Sequence, residues 1–267
     1  MKLKVYDIKA QEKGVVELPL QFNESLRSDL IKRAATHVQS LQIQPHGAKS
    51  DAGLRASAEI SRRRHNYKGS YGYGISRVPR KIMSHRGNRF SWVGAVAPGT
   101  VGGRRAHPPK SEKVLIKNIN KKELKKAMRV AISATTMSDV VKMRGHNLSP
   151  NYPLVLSDDF ESITKTSLLF GALKQLGFED ELKRVESRVV RAGKGKLRGR
   201  KYKVKKGPLI VVSNECPLLK VSNLSGVDIV PVSDLNALHL APGKDPIRLT
   251  LFTEGAIKKI DGDKLYI

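Results

Sequence analysis

The fold class turns on Tyr152–Gly177, which reads YPLVLSDDFESITKTSLLFGALKQLG. It opens with a short apolar run, Tyr152–Leu156, of strand length rather than helix length. Acids follow at Asp158, Asp159 and Glu161, and a helical pattern runs from Phe160 to Leu176. Gly177 can end that helix in the left-handed conformation. A short apolar strand handing over to a helix is the repeating unit of an α/β fold.

The same alternation recurs on both sides. Lys2–Ile8 reads as a first strand, with Leu3, Val5 and Asp7 on one face. A helix follows from Leu26 to Leu41, with Leu26, Leu30, Ala34, Val38 and Leu41 as its apolar stripe. Asn120 with Glu123 resembles a capping box. It opens a helix that turns Leu124, Ala127, Met128, Ala131 and Ile132 inward and Lys121, Lys122, Lys125, Lys126 and Arg129 outward. Leu209–Ser213, Val227–Val232 and Arg248–Phe252 complete the strands, and Thr253–Ile260 closes the chain as a helix. The expected fold is α/β, a mainly parallel sheet covered by helices on both faces.

Between the first two helices the character of the sequence changes. Residues 44–110 hold 14 Lys/Arg against 2 acids, with 10 Gly, 5 Pro and only eight Leu, Ile or Val. No apolar period is sustained, so the segment is expected to be extended and unstructured without a partner. A stretch of this length within a compact domain points to function. A second basic segment, 183–206, holds 12 Lys/Arg against Glu186 alone. These two segments carry nearly all of the formal charge of +26, and the rest is close to neutral. Such a concentration selects a polyanionic partner, nucleic acid before a membrane surface. No apolar run is long enough to cross a bilayer. Cys216 is the only cysteine, which excludes an intrachain disulfide and a cysteine-based zinc finger and suggests a reducing, cytoplasmic setting.

Catalytic readings are thin. The seven histidines show no metal-ligand spacing. The acids at 158, 159 and 161 could form a metal or acid/base site, but acids are favoured in a first helical turn in any case. Gly193-Lys194-Gly195-Lys196 lacks the rest of a phosphate loop, and Gly69, Gly72 and Gly74 do not make a dinucleotide fingerprint. No catalytic residues, metal or cofactor are expected.

The nucleic-acid reading rests on particular residues. Arg62, Arg63 and Arg64 precede Tyr67, Tyr71 and Tyr73, with Lys68 and small residues between them. Guanidinium groups pair with phosphates, and aromatic rings stack on exposed bases. Arg55 lies ahead of this cluster, and Arg77, Arg80, Lys81, Arg86 and Arg89 continue it, with Phe90 and Trp92 as further stacking candidates. Arg104, Arg105, His107 and Lys110 lie on the return path, stiffened by Pro108 and Pro109. The second patch offers Lys194, Lys196, Arg198, Arg200, Lys201 and Lys203.

At these residues the chain resembles the L-four family of large-subunit ribosomal proteins, in its archaeal and eukaryotic form. The likeness covers nearly the whole chain. Its anchors include Arg27-Ser28-Asp29-Leu30, Ala52-Gly53-Leu54-Arg55, Arg77-Val78-Pro79-Arg80, Ala106-His107-Pro108-Pro109-Lys110 and Arg191-Ala192-Gly193-Lys194-Gly195-Lys196. The absence of a long basic C-terminal tail looks archaeal. The resemblance implies a three-layer αβα globular domain, residues 1–44 and 111–267, and an extended loop, 45–110, threaded through large-subunit rRNA. It also implies that the loop tip, within Arg77–Arg89 and including Arg80, Lys81, His85, Arg86 and Arg89, lines the peptide exit tunnel. There it would meet ribosomal protein L-twenty-two and the nascent peptide. The chain departs from the family mainly in Phe90–Val101. No homo-oligomer or membrane partner is expected. Two further readings stay open on the residues alone: an RNA-binding regulator acting off the ribosome, including on its own message, and an α/β enzyme acting on RNA.

Overall fold

Every residue of Leu209–Val212 and Thr250–Thr253 is buried, on both faces of its strand, so other layers must cover the sheet above and below. In the computed structural model, which describes residues 1–221 and 223–267, these two strands lie side by side within a mainly parallel six-stranded sheet. The unit that contains them comprises Met1–Gln42 and Ile116–Ile267. Its strands are β1 (Lys2–Tyr6), β2 (Glu12–Glu17), β3 (Val155–Leu156), β4 (Leu209–Val212), β5 (Asp228–Pro231) and β6 (Thr250–Thr253). Its helices are α1 (Ser28–Leu41), α2 (Lys121–Ala134), α3 (Ser138–Met143), α4 (Thr166–Gln175), α5 (Glu179–Glu186), α6 (Ala237–Leu240) and α7 (Glu254–Gly262).

The sheet order is β2-β1-β3-β6-β4-β5, with β2 antiparallel to β1 and the other pairs parallel. Val155 of β3 stands between Val5 and Phe252, and Ile210 of β4 between Leu251 and Ile229. This is the α/β fold expected from the alternation of strands and helices. Strand β2 has no counterpart among the expected strands. It is an exposed edge strand in which Val16 alone is even half-buried, so it carries little hydrophobic signal.

Several element boundaries move, each for a tertiary reason. The run 160–176 is not one helix: a 3-10 turn covers Asp158–Ser162, Ile163 and Lys165 are extended, and α4 starts at Thr166. The acids of that turn accept hydrogen bonds from neighbouring strand ends, which holds it out of helical register. Gly177 does end α4, at φ +85°. Gly177 N donates to Lys174 O at 3.0 Å and Phe178 N to Leu173 O at 3.1 Å, closing a Schellman motif.

Helix α1 turns Leu30, Ile31, Ala34 and Ala35 inward, toward α2 and α6, while Leu26 and Leu41 are exposed. Asn120 makes no side-chain cap on α2, and Glu123 pairs instead with Arg33 at 2.8 Å. Arg129, expected to face solvent, is half-buried: its Nε donates to Glu24 at 2.8 Å and its Nη1 to Tyr266 O at 2.7 Å.

The second unit is Ile43–Leu115. Its composition suggests an unstructured stretch, yet it holds an antiparallel hairpin, Arg80–Arg86 with Arg89–Gly94. Stacking of Phe90 on Trp92 along one strand, with Tyr67 edge-on to Phe90, compensates for the shortage of aliphatic residues.

Candidate nucleic-acid interface

The hairpin turns at Gly87-Asn88, with Gly87 at φ +57°, a value that glycine takes at no steric cost. Arg86 stands opposite Arg89, His85 opposite Phe90, and Ile82 opposite Trp92. Phe90 and Trp92 share one face and stack, their ring centroids 5.0 Å apart. Tyr67 meets Phe90 edge-on at 5.2 Å, so the tyrosine loop and the hairpin share one aromatic cluster. Gly87-Asn88 ahead of the alternating run Arg89–Val93 is half of a two-residue hairpin signal. It is present in the sequence, masked by the glycine and arginine around it.

Some of the cations predicted to contact RNA have a definite setting. Arg64 lies over the Tyr71 ring at 4.4 Å and donates to its hydroxyl at 2.7 Å, and Arg77 lies over the same ring at 5.2 Å. Arg80 differs from the rest. It is buried, donates to Ser76 O at 2.6 Å and Ser76 Oγ at 3.1 Å, and lies over Trp92 at 5.4 Å. It also pairs with Gly94 at the end of the hairpin away from the turn, and Lys81 pairs with Val93 beside it. At about 3.4 Å per residue, Arg80 and Lys81 stand roughly 20 Å from the turn. Of Arg80, Lys81, His85, Arg86 and Arg89, the last three lie next to the turn.

The acids of the segment occupy few of these cations. Asp51 takes Arg55 at 2.7 Å, and Glu59 takes Lys68 at 3.1 Å. Among the described residues, no carboxylate pairs with Arg62, Arg63, Arg64, Arg77, Lys81, Arg86, Arg89, Arg104, Arg105 or Lys110, and all of them are exposed. Tyr67 and Tyr73 are 59% and 72% exposed. A cleft of ≈770 Å³ lies between the tyrosine loop and the hairpin, lined by Arg63, Arg64, Tyr67, Tyr73, Asn88, Phe90 and Trp92 among others.

The outgoing and returning backbones of this unit touch. Gly53 has φ +77°, and a Cβ there would lie 2.5 Å from the backbone of Arg104. Ala48 N donates to Pro109 O at 2.9 Å, joining the two, while Arg104 N donates to Val96 O at 3.1 Å within the return path itself. Arg104, Arg105, His107 and Lys110 therefore project from a return path tied to the outgoing one.

The second basic segment forms a two-stranded ribbon in the larger unit, Arg188–Val190 with Tyr202–Val204, every residue exposed. The intervening loop closes through Arg191 N to Lys201 O at 2.8 Å and Arg200 N to Gly195 O at 3.2 Å. Lys194, Lys196, Arg198, Arg200, Lys201 and Lys203 are exposed, and no carboxylate pairs with them among the described residues. An isolated hairpin of this kind is marginal in water.

Its base is well anchored. Glu181, fully buried, accepts from Arg184 at 2.6 and 2.8 Å, from Asn147 N at 3.0 Å, and meets His146 Nδ1 at 2.7 Å. Arg184 also donates to Lys206 O at 2.8 Å. Burial works against the Glu181 carboxylate, but the bonds from Arg184, His146 and Asn147 outweigh it and hold its pKa below the usual glutamate range. Buried Arg248 joins Asp228 at 2.5 Å and three backbone carbonyls, of Gly207, Pro208 and Gly226.

The acidic cluster is occupied by structural partners. Asp158 accepts from Gly255 N at 2.6 Å, and Asp159 pairs with Lys13 at 2.8 Å. Glu161 accepts from Ser213 N and Oγ and from Thr253 Oγ1 at 2.7–2.8 Å. These bonds join the ends of β4 and β6 to the turn after β3. Among the described residues, no group of His, Cys, Asp and Glu is placed to hold a metal ion, and no helix is long and apolar enough to cross a membrane.

Comparison with known proteins bears on the whole chain. The family model described as the ribosomal protein L4/L1 family matches residues 16–263. The chain is 45% identical over 268 residues to the large ribosomal subunit protein uL4 of Nanoarchaeum equitans, with all of both chains covered. It is 42% identical to the uL4 protein of Methanococcus maripaludis strain C7, over 98% of this chain and 99% of that one. It is 45% identical to the uL4 protein of Methanospirillum hungatei, over 99% of this chain and 100% of that one.

Proposed function

The chain belongs to the ribosomal protein L4/L1 family, and on that footing we propose that it is a structural constituent of the large ribosomal subunit that acts by binding rRNA. The observation that carries this reading is the set of exposed, carboxylate-free cations on residues 43–115 and on the ribbon at 188–204. Each cation that meets a phosphate releases counterions, so affinity is strong, additive over many contacts and salt-dependent. The exposed tyrosines add stacking on unpaired bases. The role is scaffolding rather than turnover, since the acids at 158, 159 and 161 are engaged in caps and ion pairs.

The hairpin is the part of the chain proposed to reach the peptide exit tunnel, beside ribosomal protein L-twenty-two and the nascent peptide. Arg86 and Arg89 flank the Gly87-Asn88 turn, which supports a tip centred there rather than at Arg80. The reading is tested by sucrose-gradient sedimentation of cell extract. Co-migration with large subunits that survives a moderate salt wash is expected, and a signal only at the top of the gradient would overturn it. A variant lacking 65–105 should enter subunits poorly; normal assembly with an unchanged tunnel would count against the role given to the extended loop 45–110, the arm of the chain.

A further inference from the structure

We propose that the aromatic cleft between the tyrosine loop and the hairpin receives a single unpaired nucleobase turned out of a folded RNA. This deepens the RNA-binding reading and rests on it. The cleft, at ≈770 Å³, falls within the range of small-ligand pockets. Its apolar side is the stacked pair Phe90 and Trp92, with Tyr67 edge-on to Phe90 at 5.2 Å. Tyr67 and Tyr73 remain largely exposed, so ring surface is left uncovered where a flat, polarisable ligand can lie. Tyr71 is also exposed, but Arg64 at 4.4 Å and Arg77 at 5.2 Å lie over its ring and compete with a base for it.

The polar lining fits a nucleotide rather than a peptide. Asn66 and Asn88 each offer an amide donor and acceptor, the complement of a base edge. Arg63 and Arg89 stand among the lining residues with no carboxylate partner among the described residues, so their guanidinium groups are available to phosphates. The lining contains no acid, so its charge complements a polyanion. Bases inside a duplex keep their faces stacked and could not enter a concave site, whereas a bulged or looped base exposes both faces. The cleft would thus read RNA shape, one unstacked position, where the surrounding cations read only charge.

Trp92 is the only tryptophan of the chain, so its fluorescence reports on the cleft in the intact protein. The experiment titrates the full chain with three RNA hairpins of equal charge: one with a single bulged adenosine, one with an abasic bulge, and one fully paired. The bulged adenosine should quench Trp92 and bind about 5- to 100-fold more tightly than the abasic RNA, the range of one base stacked on aromatic side chains. Trp92→Ala should erase that preference while leaving salt-dependent binding. Trp92→Phe, which keeps a ring and the hairpin, should retain the preference. Equal affinity for all three RNAs with unchanged fluorescence would overturn the cleft site and leave the RNA-binding reading standing. Absence of binding to any of them would overturn both. Quenching by an acidic peptide but by no RNA would assign the cleft to a protein partner and also overturn the proposal.

Discussion

At the scale of single residues, the most consequential side chains are charges removed from water. Glu181 is fully buried and satisfied by Arg184, His146 and a backbone amide. Removing one partner of such a group is costly, so Glu181→Gln is expected to lower stability by about 3 kcal/mol, seen as a fall in Tm of on the order of 5–10 °C. An unchanged melting curve would refute this. The same carboxylate has a folded pKa below its ordinary value. Its stabilising contribution is therefore fully present above the unfolded glutamate pKa, roughly 4.3, and is lost as pH falls through the lower folded value. Wild type should destabilise more steeply than Glu181→Gln on acidification below about pH 4.5; parallel Tm-against-pH curves would contradict the assignment. Gly53 has a backbone constraint instead of a charge. With φ +77° and the Arg104 backbone 2.5 Å from any added Cβ, Gly53→Ala should separate the outgoing and returning paths. Faster amide exchange at Ala48 and Arg104 would register this.

Among elements, the hairpin and the ribbon are both exposed and basic, but they are held differently. The hairpin has its own small core, in which Phe90 touches Tyr67, His85 and Trp92. Phe90→Ala should abolish the near-UV circular dichroism of Trp92 and leave the main thermal transition within about 1 °C, because surface changes remote from a core move stability by at most ~0.5 kcal/mol. A fall of the main transition would mean that the hairpin is part of the core unit's cooperativity. The ribbon has no such cluster, and Val189, Val190, Tyr202 and Val204 are all exposed. Its order comes from its base, where Arg184 and Lys206 tie it to α5 and β5. Charge marks both segments in the sequence, but neither reads there as a hairpin. Alternation is visible in Arg89–Val93, but Arg80–Arg86 carries a register shift between Ile82 and Ser84 that breaks the period. The helix expected at 160–176 is interrupted for a related reason: its first turn answers to Ser213, Thr253 and Gly255, residues far away in sequence.

For the molecule as a whole, charge and core are separated along the chain. The core unit is closed where the arm leaves it: Lys117 N donates to Ser40 Oγ at 3.0 Å, and Lys117 O lies 2.6 Å from His37 Nδ1. The two chain ends of the excursion are thus held together by groups outside it. Replacing residues 44–114 with a short Gly/Ser linker should leave a cooperative transition with Tm within about 3 °C of wild type, since loop-closure entropy changes only slowly with length. The same variant should lose about half of the salt dependence of the proposed RNA binding, since the cations of the excursion go while those of the ribbon remain. Loss of cooperative unfolding would show that the arm is needed for the core to fold.

The α/β class is legible in the residues themselves, as short apolar strands alternating with helices. Burial on both faces demands apolar residues at every position of a central strand such as Leu209–Val212. The two basic segments are equally legible from charge, since 14 Lys/Arg against 2 acids cannot be neutralised from within. Which of those charges stay available is settled instead by packing between distant parts of the chain. Arg80 reads like its neighbours in sequence, yet it is buried against Ser76 and Trp92, and Arg129 is held by Glu24. Asp158 and Glu161 read as a possible site and turn out to be caps and strand ties. Local sequence sets what a side chain can bond to, but the partner it meets is brought by distant segments, and no local pattern records that arrival.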